Sequence, residues 1–421
     1  MSLKDKASLI FKPSRYKAGV AYSFRGTDWT FTRASAGTRV NASGVIETVA
    51  ASIPRICYDP TDLTKDPYLL LEGTKTNLIP HSQLLDSWIK ENISVVYNAG
   101  IAPDGTNTAN KLIPDSAGTD HSVYKPGSSW TTHTFSIFAK AAEYGYIYVG
   151  KNNNYATDGV FFDLRTGVIS QNTSALAASI EDYGGGWFRC AVYGNISYAL
   201  ICPSENGTSF SFAGDGSKGV LAWGGQVEVN KLTSYIPTVS SSDTRVTDFL
   251  IIGDMYASVN KSTQGTFYVD VAASDDGTSG DAILIRNSNT PLGRAYYYQR
   301  QFGFADTWGG STEPNSIDGV RFKHIWRLDN SSTGTFFQGG KKYNTVDTST
   351  EAWNNVYQFY FTPGYSTMKV YEIYISPNPL TDDECISLTS YDDYEELVDI
   401  KGLTWESSTI TNNRLSELAA L

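Results

Sequence analysis

Four histidines, His81, His121, His133 and His324, are the side chains that would bind zinc or serve as a general base, and their spacing supports neither role. None forms an HExxH or an i, i+4 pair, the arrangement that sets two imidazoles on one helix face around a metal. The chain contains no GxSxG elbow, no phosphate-binding P-loop and no GxGxxG turn. A Ser–His–Asp triad is defined by geometry, and serine and aspartate are too frequent here for sequence order to single one out.

Sugar-chain cleavage needs two carboxylates about 5–10 Å apart. Concanavalin-like glucanases set theirs at alternate positions of one strand, E-x-D-x-E, and no such run occurs. Glu228 in GGQVEVN and Asp270 in FYVDV each stand alone between apolar neighbours. Both read as strand carboxylates that face outward, so no catalytic residue is assigned and the chain is expected not to be an enzyme.

Aromatic residues give the positive signal. Sugar rings present apolar C–H faces that stack on tyrosine and tryptophan, while neighbouring polar groups take the hydroxyls. One cluster is Tyr144, Tyr146, Tyr148 and Tyr155 in YGYIYVGKNNNY, with Asn152, Asn153 and Asn154 in the turn. Alternation along a strand places Tyr144, Tyr146 and Tyr148 on one sheet face. A second cluster is Tyr296, Tyr297 and Tyr298 with Trp308. Two readings stand for each: a glycan-binding face, through Tyr144, Tyr146, Tyr148, Tyr155, Tyr297 and Trp308, or the filled core face of a sheet. Trp187 and Arg189 in GGGWFRC, and Trp223 in AWGGQVE, sit where a strand core is expected. The acidic loop with Asp275, Asp276 and Asp281 is the best local candidate for Ca²⁺, although solvated acidic loops are the commoner case and no EF-hand spacing is present. No cofactor and no metal site are otherwise expected.

The elements that must position these residues are strands. TFSIFAKAAEYGYIYVG (134–150), GTFYVDVAAS (265–274) and VYQFYFTPGYSTMKVYEIYIS (356–376) are rich in β-branched and aromatic residues, bounded by Gly, Asn, Asp or Pro. Turn signals such as PDG (103–105) and GDG (214–216) recur between them. Short strands with polar turns and no interleaved long helices predict an all-β fold of tandem β-sandwich domains. The only short helix expected before residue 380 lies within TNLIPHSQLLDSW (76–88). The best helical stretch is residues 379–400: Thr381 is a good N-cap, Asp382, Asp383 and Glu384 fill the first turn, and Cys385, Ile386 and Leu388 give a packing face. VSSSDTRVTD (239–248) reads as a polar linker.

Across 421 residues the charged fraction is 18%, with 37 glycines and 27 tyrosines, a composition that excludes a disordered chain. Thirty-three basic against 44 acidic residues give a net charge of −11, which excludes phosphate-driven nucleic-acid binding. No apolar run approaches the roughly 18 residues of a membrane span, and the opening MSLKDKASLIFKPSRYKAG lacks the apolar region of a secretory signal. Cys57, Cys190, Cys202 and Cys385 are scattered without a CxxC pair, so buried free thiols are expected.

RASAGTRVNASGVIETVAASIPRICYDP (33–60), followed by YLLLEGTKTNLI (68–79), resembles a module widespread in bacteriophage tail and head-fibre proteins. The shared pattern is R-A-S-x-x-T-R-V-x-x-x-G-x-I-E-T, then P-R-x-x-Y-D-P, then L-L-L-E-x-x-x-T-N-L. The stretches 102–112, 134–141, 162–169, 182–190 and 222–238 look like the jelly-roll domain that follows in those proteins, itself similar to carbohydrate-binding modules. Residues 265–391 resemble laminin-G or concanavalin-like sandwiches.

The resemblance implies a virion protein with four parts. Residues 1–85 would be a strand-rich module for docking or oligomerisation, 86–245 a jelly roll, 246–391 a lectin-like sandwich, and 392–421 a C-terminal tail. The expected function is a non-enzymatic fibre or receptor-binding protein that recognises host-surface glycans, made in the host cytoplasm and carried on the virion. Its partners would be other virion proteins and a glycan, in a homotrimer, with no nucleic acid and no membrane insertion. The rival reading is a purely structural virion component with protein partners only; a polysaccharide depolymerase is the least favoured.

Overall fold

The computed structural model describes residues 29–151, 158–172, 176–252, 264–274, 321–330, 333–347 and 367–390, with the short pieces 3–7, 9–13, 22–24, 283–285, 295–298, 301–304, 359–361 and 406–407. The fold is all-β, and every strand pairing among these residues is antiparallel.

Strands Ser122–Ala141 and Trp187–Ser204 pair along most of their length and form the spine of one ten-stranded sheet. Their ladder is irregular between Pro126 and His133, where proline offers no N–H. Opposite this break Gly194 adopts φ +147°, open to glycine and strained for other residues. The interruption lets each strand serve two layers. The half from His133 to Ala141 pairs with Val220–Val229, beyond which lie Ala109–Pro114 and Ile93–Gly100. On the other side, the Trp187 end of the spine carries the edge strand Ala178–Asp182. The opposite halves carry Ile89–Glu91, Tyr146–Gly150, Gly159–Asp163 and Val168–Gln171. One buried cluster draws Phe135, Ile137 and Val192 from the first layer and Val123, Val149 and Ile201 from the second, so the layers face each other across it. The alternate residues are buried too: Phe138 packs outward against Trp223 and Tyr235. That explains why this strand reads as a continuous apolar run rather than an alternation.

A second ten-stranded sheet is centred on Thr367–Ser376. One side pairs with Gly265–Ser274, followed by Arg321–Asn330, Thr333–Gln338 and Lys341–Asp347. The other side is shared: Tyr68–Glu72 pairs with residues 367–370, and Leu9–Phe11 with residues 373–375. A six-stranded sheet pairs Trp29–Thr32 with Phe249–Ile252, which in turn pairs with Phe359–Phe361. Apart from the hairpin Gly37–Val40 with Ile46–Val49, then, the strands of residues 1–85 join sheets built from the other end of the chain. Strands of three to five residues cannot sustain a sheet alone, so they take the free edges of longer strands.

The stretch 239–248 is likewise more than a linker. Its strand Asp243–Arg245 pairs with Lys75–Asn77, and Arg245 and Asp248 are fully buried.

The C-terminal helix runs Asp382–Ser390 and is closed by a reciprocal cap. The Thr381 N–H donates to Glu384 Oε2 at 2.9 Å, and the Glu384 N–H donates to Thr381 Oγ1 at 3.2 Å. Cys385 and Leu388 bury against Tyr268, Ile325, Phe337 and Tyr374. Within 76–88 only the 3-10 turn Leu85–Ser87 forms, and a helical turn at Leu3–Lys6, which the sequence did not announce, packs Leu3 into the same cluster as Cys385. All four cysteines are free and buried. No helix among the described residues is long and apolar enough to cross a membrane.

Candidate functional site

The tyrosines of the first cluster do not share one face. Tyr148 is 2% exposed and packs on Phe161 and Phe210, with ring centroids 4.9 and 4.7 Å away. Tyr144 is 7% exposed and lies in the inner cluster with Ile147 and Val149, its ring edge-on to Phe212. The expected alternation fails because the strand begins only at Tyr146. Before it, the Tyr144 N–H donates to the Gly219 carbonyl, outside the strand's own ladder. Tyr146 is half-buried and carries the Arg165 guanidinium 5.6 Å over its ring. Tyr297 lies in strand Ala295–Tyr298, opposite Phe302 and Ile283. Tyr155, Trp308 and the acidic loop of Asp275, Asp276 and Asp281 lie outside the described residues.

Glu228 and Asp270, expected to face solvent, are both fully buried. Glu228 accepts from the Thr233 N–H (2.8 Å), the Thr233 hydroxyl (2.6 Å) and the Gln226 amide (2.6 Å). Asp270 is held by a two-pronged contact with Arg321, both bonds at 2.8 Å. Alternation shows which face a residue takes, not whether another segment covers that face.

The polar residues of the fibre-like motif converge on a buried network that sequence reasoning missed. Arg33, Arg55, Glu72, Arg245 and Asp248 come from four separate segments and are all sealed from solvent. Arg55 Nη1 donates to Glu72 Oε2 at 2.6 Å, and its Nη2 pairs with Asp248. Arg33 reaches Asp248 Oδ1 at 3.1 Å, and Arg245 lies 3.0 Å from Glu72 Oε2. Backbone and hydroxyl donors complete the set: Ser234 gives Glu72 both its N–H (2.8 Å) and its hydroxyl (2.6 Å), and the Glu72 N–H donates to Asp248 at 2.8 Å. Burial raises the Glu72 pKa, but Arg245, Arg55 and the Ser234 bonds outweigh it and bring the group down to about 2. The signal was present in the motif itself, because an R-A-S, P-R and L-L-L-E set of charges embedded in apolar strands has no solvent to face.

Above this network runs a groove between the two large sheets. Its inner chamber, about 280 Å³, is lined by Tyr183, Thr233 and Ser234 on one side and by Ala272, Ser274 and Thr367 on the other, with Glu72 and Arg189 among its lining. Its outer chamber, about 580 Å³, is bounded by Asp59, Lys65, Asp66, Asp182, Arg321 and Tyr371. Tyr68, Glu181 and Lys369 line both chambers.

Three elements position these side chains. On strand Thr367–Ser376, residues 367, 369 and 371 are half-buried while Met368 and Val370 are buried, so the polar alternates point into the groove. The ladder shifts register there, with Asp270 opposite Glu372 and Val271 opposite Val370, which leaves Tyr371 as an unpaired extra residue. Such a bulge re-aims a side chain. Tyr371 meets Tyr68 with ring centroids 5.5 Å apart at 53°, and Arg321, fixed by Asp270, lies 3.9 Å over the Tyr371 ring. The facing wall is the edge strand Ala178–Asp182, which carries Glu181.

Lys369 Nζ lies 4.8 Å over Tyr68. Neither Lys369 nor Glu181 has a hydrogen-bonding or ion-pair partner among the described residues, and each remains available as donor or acceptor. The Cys57 thiol that also lines the inner chamber is pushed up to about 11 by burial and stays protonated at neutral pH. The groove therefore offers ring faces, one free ammonium and one free carboxylate. Among the described residues no group of three or more His, Cys, Asp or Glu side chains gathers in a way that would hold a metal ion.

No known family profile matches the chain, and no curated protein matches it. Among solved structures, the tail fiber protein gp63.1 from an E. coli phage is similar at 10% identity with a TM-score of 0.21, over 74% of this chain and 41% of that one. This chain thus spans less than half the length of that fibre, and so slight a likeness carries no argument.

Proposed function

We propose that this chain is a fibre-type bacteriophage virion protein that binds host-surface glycans without cleaving them, and that the groove lined by Tyr68 and Tyr371 is its binding site. The observation that supports this most is the composition of the groove. Two tyrosine rings at its floor lie beside an unpaired Lys369 and an unpaired Glu181, the mixture of apolar faces and hydrogen-bonding groups that sugar recognition uses. The motif residues resembling fibre proteins support the family reading, since they build the buried network on which the groove rests. Tyr146 is a secondary stacking candidate. A homotrimer on the virion would raise avidity by linking weak sites.

A second reading, a structural component contacting only other virion proteins, is favoured by one observation. Strand Ile93–Gly100 ends the order of its sheet and exposes Val96 and Tyr97 beside Ile101, which is 60% exposed. An apolar edge of this kind suits another protein chain.

The test is an array of bacterial surface polysaccharides probed with the purified protein, its oligomeric state checked beforehand. Saturable binding that Tyr371→Ala weakens at least ten-fold supports the glycan reading. Silence across the array from folded protein moves the function to the structural reading.

A further inference from the structure

The groove is elongated, and its direction is set by the strand beneath it. Thr367 lines the inner chamber, Tyr371 the outer chamber, and Lys369 both. Four residues of strand at about 3.3 Å each put the ends of this row roughly 13 Å apart. The two chambers adjoin, with Tyr68, Glu181 and Lys369 bordering both.

The charges along it are largely committed. Of the cations, Lys65 is paired with Asp59 at 2.6 Å, Arg321 with Asp270 at 2.8 Å and Arg39 with Glu47 at 2.6 Å, while buried Arg189 donates to the Thr233 carbonyl (2.7 Å) and the Ser136 hydroxyl (3.1 Å). Of the carboxylates, Asp182 accepts the Gly184 N–H at 2.8 Å and Asp66 lies 3.8 Å from Lys12. Among the described residues, what remains is one ammonium, Lys369, and one carboxylate, Glu181. A polyanion entering here would meet the carboxylates of Asp59, Asp66, Glu181 and Asp182 with a single uncommitted cation to answer them. It would also approach a chain of net charge −11, which repels it at long range.

Building on the glycan reading above, we infer that the groove takes an extended, uncharged oligosaccharide segment lying lengthwise along strand Thr367–Ser376. The Glu181 carboxylate accepts from neighbouring ring hydroxyls, the Lys369 ammonium donates to a ring or hydroxyl oxygen, and the Tyr68 and Tyr371 rings, which carry Lys369 and Arg321 over them, flank the apolar C–H side of one sugar unit. Lengthwise binding means that a single sugar unit fills only part of the row, so affinity must grow with chain length until the groove is full.

The test uses the polysaccharide that scores on the array, cut by mild acid into size-fractionated fragments from one sugar unit upward and titrated by calorimetry. The array carries neutral and uronate-containing polysaccharides alike. The expected result is a neutral hit whose fragments bind at least ten-fold more tightly as they lengthen from one unit to several. Glu181→Gln should weaken the longer fragments several-fold without lowering the melting temperature, since Glu181 is exposed. Val168→Ser, at an exposed position of strand Val168–Gln171, should change nothing. A uronate-bearing hit, or full affinity already in the single sugar, overturns the inference and leaves the glycan-binding reading standing. Tight, length-dependent binding unaffected by both Glu181→Gln and Tyr371→Ala also overturns it, by placing the ligand elsewhere. A complete absence of binding removes both.

Discussion

Arg55 and Asp248 are 193 residues apart in the chain and form an ion pair from which solvent is excluded. Asp248 also holds Arg33, so one carboxylate bridges two buried guanidiniums drawn from different segments, while Arg55 is shared with Glu72. Removing one partner of a buried pair leaves the other charge uncompensated, at a cost of about 3–5 kcal/mol. Asp248→Ala is therefore expected to destabilise the protein by that amount in urea unfolding. Asp86→Ala, which breaks the exposed Asp86–Lys90 pair, should cost less than about 1 kcal/mol.

Acid should weaken the fold in two steps of distinct origin. Burial lowers His324 from 6.5 to about 3, a hydrogen bond to Gln338 offsetting only part of the effect. The unfolded chain thus takes up a proton that the folded one refuses, and stability declines as pH falls below about 6.5 toward 3. Glu72 is held at about 2 in the folded state against an ordinary value of 4.5, so its contribution is complete above 4.5 and disappears as pH falls toward 2. Chemical denaturation across pH 2–8 should show the Glu72 decline directly; the His324 decline, opposed above 4.5 by Glu372, which burial raises to about 8, is read as the difference from His324→Phe. Glu72→Gln should lower stability at neutral pH and flatten the curve between 4.5 and 2.

Tyr148 and Tyr146 are two residues apart on one strand and should behave differently. Tyr148→Ala removes a ring wedged between Phe161 and Phe210 and is expected to cost about 3 kcal/mol or more. Tyr146→Ala, at a half-buried position under Arg165, should cost distinctly less. Thermal unfolding of the two variants side by side checks this. Equal losses would mean that Tyr146 is as much a core residue as Tyr148.

The contrast shows which parts of the molecule are legible in its sequence. Strand Gly265–Ser274 and the Thr381 cap follow from local chemistry, that is, β-branched alternation in one case and a hydroxyl three residues before a glutamate in the other. Local pattern does not state what lies on top of a face. Asp270 looked solvent-facing because nothing near it in sequence reveals that Arg321 closes over it, and Glu228 because strand alternation does not show that the chain turns back to cap it with Thr233. Tyr68 and Tyr371 gave no sequence signal as a pair, since they meet only when two strands 300 residues apart align and a bulge turns one ring toward the other.

The helix cap offers a small, separate check. Thr381→Ala removes the hydroxyl that receives the Glu384 N–H and should cost about 1 kcal/mol. Thr381→Ser should restore most of it. A melting temperature unchanged in Thr381→Ala would mean that packing of Cys385 and Leu388, not the cap, holds the helix.

The pairing of Leu9 with Ile375 has a consequence for how the chain is made. At roughly 5–20 residues per second, a ribosome needs tens of seconds between the first strand and its partner. For most of that interval Leu9–Phe11, joined later by Tyr68–Glu72, has emerged with the strand that will receive it still untranslated. The second sheet can close only after synthesis reaches residue 376, whereas every strand of the first sheet has been made by residue 229. Nascent chains stalled before that point should hold a finished first sheet and an exposed, chaperone-dependent N-terminal segment.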